Sequence, residues 1–427
     1  MIRSGIFIIL VILASAAVLS QDTIEDLSGI VERHTHPIVS IDPNNTSTTD
    51  LDFLQGEFMG VDIVMLGEQS HGDGSTFLAK TRLIKYLHEE MGFSVLVFES
   101  GLMDMYRTWT KIEEGADSLS VFNYGVFPIW ANSKQVQELF EYILEQSKTD
   151  HPLIVAGFDI QPTGSLMTPD ERMEEISVYL QGTINYSAEA YPLFSRSFQN
   201  LRSIMESPLS PEEYDEMKKE YAELQKRILE SDPSKEGMIY AQYIDNYFKT
   251  LTLYAKADLQ KPPNTPHIFN IRDREMARNF ELLANKLYPG EKFIVWGANS
   301  HLGYGRGLLD DFQGMKPSAP AMVPFGQYLK IDYQDALYTL AFTSYEGSIG
   351  LLRGMERELP KGHDLSLEKA LAEKDDSFIF LSLQGDEFKS LRFPARIYGH
   401  AEMSGIWGQM ADGVFFIKTM EPNKVVN

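Results

Sequence analysis

Apolar residues along this chain fall into two kinds of pattern. Short, nearly continuous runs lie at Asp62 to Leu66, Ser94 to Phe98, Leu153 to Ala156, Phe293 to Trp296, Tyr338 to Thr343, Phe378 to Leu381 and Val414 to Ile417. Each is followed by a polar cluster, as expected of buried strands. Between the first two runs, Phe77, Leu83, Ile84, Leu87 and Met91 share one face of a helix spanning Ser75 to Met91, and Gly92 stands where it should stop. Strand, helix and strand in about 37 residues predict a right-handed βαβ unit. The fold class follows: α/β, with a central, mostly parallel β-sheet flanked by helices.

A second region reads differently. From about Thr168 to Lys261 the chain is rich in Glu, Lys, Tyr and Leu, has no strand signal, and repeats with helical period in Ser210 to Leu229 and Lys235 to Leu259. It predicts a helical insertion, closed by the proline-rich 262–266 and followed by an amphipathic helix over Arg272 to Leu287. The helical spacing of Tyr240, Tyr243 and Tyr247 suits core packing, with a role in covering the cleft against a bulky ligand as the other reading. At the start, Met1-Ile2-Arg3, the uncharged apolar run Ile6 to Val18 and the small residues Ser15-Ala16-Ala17 and Ser20 read as a signal peptide over residues 1–20. One domain is expected over 21–427, with a periplasmic or secreted location and no membrane span once the signal is cleaved.

Composition narrows the partners. The net charge is −23, which repels phosphate backbones and argues against nucleic acid. There is no cysteine, hence neither a disulfide framework nor a lipid-attachment thiol.

The polar residues after the strands carry the chemistry. Glu68 and His71, in Gly67-Glu68-Gln69-Ser70-His71-Gly72, follow the first strand; Glu99 follows the second, Asp159 the third, and Asn299 with His301 the fourth. Ligands of an open parallel sheet bind beyond the carboxyl ends of its strands, so these loops should converge on one cleft. Two carboxylates and two imidazoles there can serve a general base. The same set, Glu68, His71, Glu99 and His301, also suits a divalent metal, and spacing does not separate the two readings. No cofactor is otherwise implied. The pair His34 and His36 sits in a leader without nearby carboxylates, which disfavours a metal there. The chain has no G-x-S-x-G elbow and no G-x-x-x-x-G-K-[ST] loop, and His88-Glu89-Glu90-Met91-Gly92 lacks a second histidine.

With those residues in place, the chain resembles the erythromycin esterase family. The likeness rests on Leu66 to Gly72, Gly92-Phe93 with Phe98-Glu99, Trp130, Gly157-Phe158-Asp159, Arg272-Asp273 with Met276, Trp296 to His301, and Ala411 to Phe415, in order and spacing over nearly the whole of 21–427. The resemblance implies hydrolysis of a macrolide-type lactone or other small-molecule ester by histidine-activated water, without a covalent acyl intermediate. Carried over by position, His71 matches the general base, Glu68 and Glu99 the active-site carboxylates, and His301 the second histidine of a W-x-H-N-x-H segment. Asn299, Asp159, Lys80, Arg272 and Trp130 are implied as substrate-binding residues. Two departures stand out: Ala298 replaces the first histidine of that segment, and Lys80 lies where the family tends to carry an arginine. On the same scaffold the rival expectation is a metal- or haem-binding protein, or a non-catalytic ligand-binding one.

Overall fold

In the computed structural model, residues 27–199, 210–256, 265–312, 321–350 and 355–426 are described. The expected signal over 1–20 and residues 257–264 at the end of the insertion lie outside them. The strands are β1 (Thr35–Ile38), β2 (Ile63–Leu66), β3 (Val95–Gly101), β4 (Ile154–Asp159), β5 (Phe293–Trp296), β6 (Leu337–Gly350), β7 (Glu356–Leu359), β8 (Phe378–Ser382), β9 (Phe393–Tyr398), β10 (Ala401–Gly405) and β11 (Gly413–Met420). The main sheet runs β1-β8-β11-β6-β2-β5-β3-β4, with β7 on β6. From β11 to β4 every pair is parallel, whereas β1, β7 and β8 pair antiparallel.

The continuous apolar runs become central strands because both sheet faces are covered. Val64, Leu66, Leu96, Phe98, Ile294 and Trp296 face one side, joined by Phe77, Leu83, Ile84 and Leu87 of helix α1 (Gly74–Met91). Ile63, Met65, Val95, Val97, Phe293 and Val295 face the other. Each large side chain so buried is worth about 1.5–3 kcal/mol, and a slip by one residue would exchange the two faces, so the register is tightly specified. Helix α1 ends at Gly92, whose φ of 71° needs no β-carbon penalty.

Two further helices, α2 (Leu102–Glu113) and α3 (Gln137–Gln146), lie between β3 and β4. The insertion holds four described helices, α4 (Pro169–Ile184), α5 (Pro192–Gln199), α6 (Pro211–Ser231) and α7 (Lys235–Lys256). Thr168 and Ser210 each start a helix through a capping box with the glutamate three residues on. Ile176, Leu180, Leu224 and Ile244 join the core on the Ile63 face, so the insertion lies against the sheet. Tyr240 stacks on Tyr179 with ring centres 3.5 Å apart, Tyr243 is buried, and the Tyr247 hydroxyl donates to the Ser197 and Phe198 carbonyls. These rings pack the helical layer, and Phe269 of the next helix is the ring that covers His301.

That helix, α8, spans Thr265–Leu282 and runs into a π-turn at Leu283–Leu287, so it begins nearly two turns before the expected Arg272. The edge strands β1 and β7, mostly exposed, carry no clear alternation, and β9 contains Pro394, which obscured them in the sequence. Strand β6 extends past Thr343 to Gly350 because its second half pairs with both β11 and β7.

Candidate active site

Four strand ends do converge. Strand β2 lies between β5 and β6 at the centre of the sheet, with β3 and β4 beyond β5, so the segments carrying Glu68, Glu99, Asp159 and His301 emerge on one rim. Two carboxylate–imidazole groups form there.

The first is built on Glu68, which is buried. Its Oε1 meets His71 Nδ1 at 2.7 Å and accepts from the Trp130 indole N–H at 3.1 Å; its Oε2 accepts from Lys80 Nζ at 2.6 Å. Lys80, fully buried on α1, also donates to the Gly297 carbonyl and lies 4.4 Å from the centre of the Trp296 ring. With Nδ1 committed to Glu68 and the His71 side chain 34% exposed, Nε2 makes no hydrogen bond among the described residues. Phe127 and Trp130 meet the His71 ring edge to face. Burial pulls the His71 imidazole down, but the Glu68 hydrogen bond and the Glu68 and Glu99 charges outweigh it and raise its pKa. Lys80 moves the opposite way, because burial lowers it more than Glu68 raises it.

The second group is closed. Glu99 Oε2 accepts the Ala298 backbone N–H at 2.9 Å, and Oε1 lies 3.3 Å from Arg272 Nη2 and 3.4 Å from His301 Nε2. His301 Nδ1 meets Asp273 Oδ1 at 2.8 Å, its Nε2 faces Arg272 Nη1 at 3.2 Å, and only 9% of its side chain is exposed. Asp159 holds Arg272 through Nε and Nη2. Burial would raise the Glu99 carboxyl; His301, His71, Arg272 and the Ala298 N–H together hold it down at about 2. Burial lowers His301, and Asp273 and Glu99 raise it further than that, against Arg272. The backbone of Gly297 to Asn299 joins the two groups, since Asn299 N–H also donates to the Glu68 carbonyl.

Several sequence expectations need relocation. Asn299 does not face the cleft: its amide donates to the Phe342 and Ile397 carbonyls and accepts from the Phe342 N–H, leaving no free donor. Gly67 must be glycine beside it, because a β-carbon there would sit 1.8 Å from Asn299 Oδ1. Lys80 and Trp130 are buried beneath Glu68, where they hold a carboxylate and are screened from any substrate. Asp159 orients Arg272. The sequence reading did not select Asp273, although it stands next to Arg272. Its Oδ1 also accepts the Phe325 N–H. A metal fits the proposed donors poorly: Lys80 already occupies Glu68, and Arg272 sits against Glu99 and His301. The leader histidines part ways, His34 pairing with Glu387 and His36 stacking on Phe53.

Comparison with known proteins adds to this geometry. A family model described as erythromycin esterase matches residues 88–409, a span that begins after the Glu68 to Gly72 loop. The chain is similar to the putative hydrolase YbfO of Bacillus subtilis, 28% identical over 93% of this chain and 91% of that protein. It is also similar to erythromycin esterase type II of Escherichia coli, 23% identical over 85% of this chain and 91% of that one. Among solved structures, a Bacillus cereus protein superposes with a TM-score of 0.74 at 20% identity, covering 94% of this chain and 99% of that one. A mutant erythromycin esterase in an open conformation gives 0.67 at 15% identity, covering 91% and 98%. At these identities the structural likeness is one of fold.

Proposed function

This chain belongs to the erythromycin esterase family, and from that premise we propose that it is a hydrolase of carboxylic esters or lactones that uses His71 to activate water. The observation that carries the reading is the Glu68–His71 pair, with Nδ1 held at 2.7 Å and the side chain 34% exposed. In the reaction Nε2 takes a proton from water, and the water oxygen bonds to the ester carbonyl carbon. When the tetrahedral intermediate collapses, the C–O bond to the alcohol breaks, and His71 returns its proton to the leaving oxygen. Glu68 fixes the tautomer and stabilises the imidazolium, as Lys80 and Trp130 fix Glu68. The developing oxyanion is assigned to Arg272, the cation of the second group with 20% of its side chain exposed, backed by His301.

The mouth bears on the substrate. Ala298 stands where the family pattern has an imidazole, so the preferred ester is proposed to be one that the smaller side chain accommodates, and macrolide lactones are the substrates most affected by the difference. Export through residues 1–20 is part of the same proposal. The test is a panel of lactones and simple esters, assayed with and without chelator, on wild type and His71→Ala. The proposal expects chelator-insensitive turnover that falls at least about 10²-fold in the variant while its circular dichroism is unchanged. Equal turnover in both proteins would remove His71 from the mechanism.

A further inference from the structure

The loop that presents His71 is gripped from both sides by a hairpin more than 300 residues later in the chain. Two residues before His71, Gln69 donates through Nε2 to the Arg396 carbonyl at 2.6 Å and to Thr343 Oγ1 at 3.2 Å, and accepts from Ser344 Oγ at 3.0 Å. Two residues after it, Asp73 is buried, accepting the Ser70 N–H at 2.9 Å on Oδ2 and meeting His400 Nε2 at 2.9 Å on Oδ1. Arg396 and His400 belong to the β9–β10 hairpin, whose two-residue connection is Gly399-His400. Both connecting residues have positive φ, 66° and 59°. Such a turn favours glycine or asparagine at its second position, because a β-carbon is crowded there. Among the described residues two other non-glycine residues have positive φ: Asn185, a left-handed helix cap of the ordinary kind, and Gln334, which follows a helix end with ψ −112°. His400, unlike Asn185, caps no helix. It is buried, and its Nδ1 has no hydrogen-bond partner among the described residues.

We infer that His400 is a positioning residue for the candidate base: through Asp73 it fixes the 70–73 turn, and so the line from Glu68 to His71 Nδ1. An unfavourable turn residue is retained because its imidazole reaches Asp73, a contact that glycine, the conformationally better choice, cannot make. This inference rests on the reading of His71 as the base, and the two can fail separately.

The discriminating variant is His400→Gly, which removes the imidazole while easing the backbone. Either role predicts a lower melting temperature, because Asp73 stays buried without its imidazole partner; a purely structural turn residue predicts unchanged kinetics. Positioning predicts, below the melting temperature of the variant, a kcat lower by about 10- to 100-fold, KM within about twofold, and partial recovery of kcat on adding free imidazole to refill the space. Because the variant could also loosen the hairpin, His400→Asn supplies a second arm: it tolerates positive φ, offers an N–H, and should retain more activity than the glycine form. A readout independent of turnover is the proton signal of the hydrogen bond between His71 Nδ1 and Glu68, observed by NMR. It should broaden or shift in His400→Gly and not in a substitution of exposed Lys389. An unperturbed His71 signal with unchanged kinetics overturns the inference. A wild type inactive on every ester, but with a perturbed His71 signal in the variant, would sink the hydrolase reading and leave the positioning role standing.

Discussion

The two carboxylate–imidazole groups at the cleft are made of the same parts and behave oppositely. In the Glu68 group the carboxylate is the buried member and the histidine the open one: Lys80 and Trp130 take up the carboxylate from below, so one imidazole nitrogen is left over. In the Glu99 group the histidine is closed, with Asp273 on one nitrogen and Arg272 and Glu99 on the other. The difference teaches that a glutamate and a histidine at a strand end do not define a base. What defines it is whether the other partners of the pair leave a nitrogen free to meet water.

The largest way to break that contrast is Lys80→Met. It leaves the buried Glu68 carboxylate without its cation, which destabilises a protein by about 3–5 kcal/mol. Urea unfolding should report a loss of this size, whereas a change near zero would mean that Glu68 does not depend on Lys80.

Acid should separate the groups next. As the proposed base His71 must be neutral to act, and its pKa is raised above the ordinary 6.5, so turnover should fall about tenfold per pH unit below that raised value. The linkage has the opposite sign for stability: a raised folded pKa contributes fully below about 6.5 and is lost as pH rises through the folded value. Glu99, depressed to about 2 from 4.5, contributes stability above about 4.5 that is lost as pH falls toward 2. A pH titration should therefore lose activity reversibly while near-UV circular dichroism holds, and lose the fold only at lower pH. Coincident loss of both signals would contradict the separation.

Ala298→His probes the seam between the groups. The bond from residue 298 to Glu99 comes from the backbone N–H, so the substitution keeps that donor while adding an imidazole at a buried position. Turnover of the ester preferred by wild type should drop by about tenfold, roughly 1.4 kcal/mol, while a macrolide lactone should gain, chiefly in kcat. A gain for both substrates would show that the alanine confers no adaptation.

The smallest effect is expected far from both groups. Tyr247→Phe removes a hydroxyl that caps two carbonyls within the insertion, and should reduce stability by about 0.5–1.5 kcal/mol with unchanged kinetics. A changed KM would return this ring to the cleft.

Much of the fold was legible because periodicity encodes the direction of burial. The runs at 62–66, 94–98 and 293–296 declared central strands, Gly92 declared a helix end, and the helical period of 210–229 and 235–259 declared the insertion. The rule that ligands gather at the carboxyl ends of parallel strands then brought Glu68, His71, Glu99, Asp159 and His301 to one rim. Edge strands were illegible, since β1 and β7 bury too little to alternate.

The sequence by itself thus determined which strand ends carry ionisable residues, and tertiary structure alone decided which partners each side chain meets. Lys80 proved to be the floor beneath Glu68 rather than a substrate contact, Asn299 was drawn away by the backbone of β6 and β9, and Asp273 arrived on a helix that starts earlier than its pattern suggested. His400 reaches Asp73 across 327 residues. The physical reason is that burial follows from a residue's own polarity and its spacing along one element, whereas a hydrogen-bond partner is fixed by distances of about 3 Å between elements that the chain brings together only when it folds.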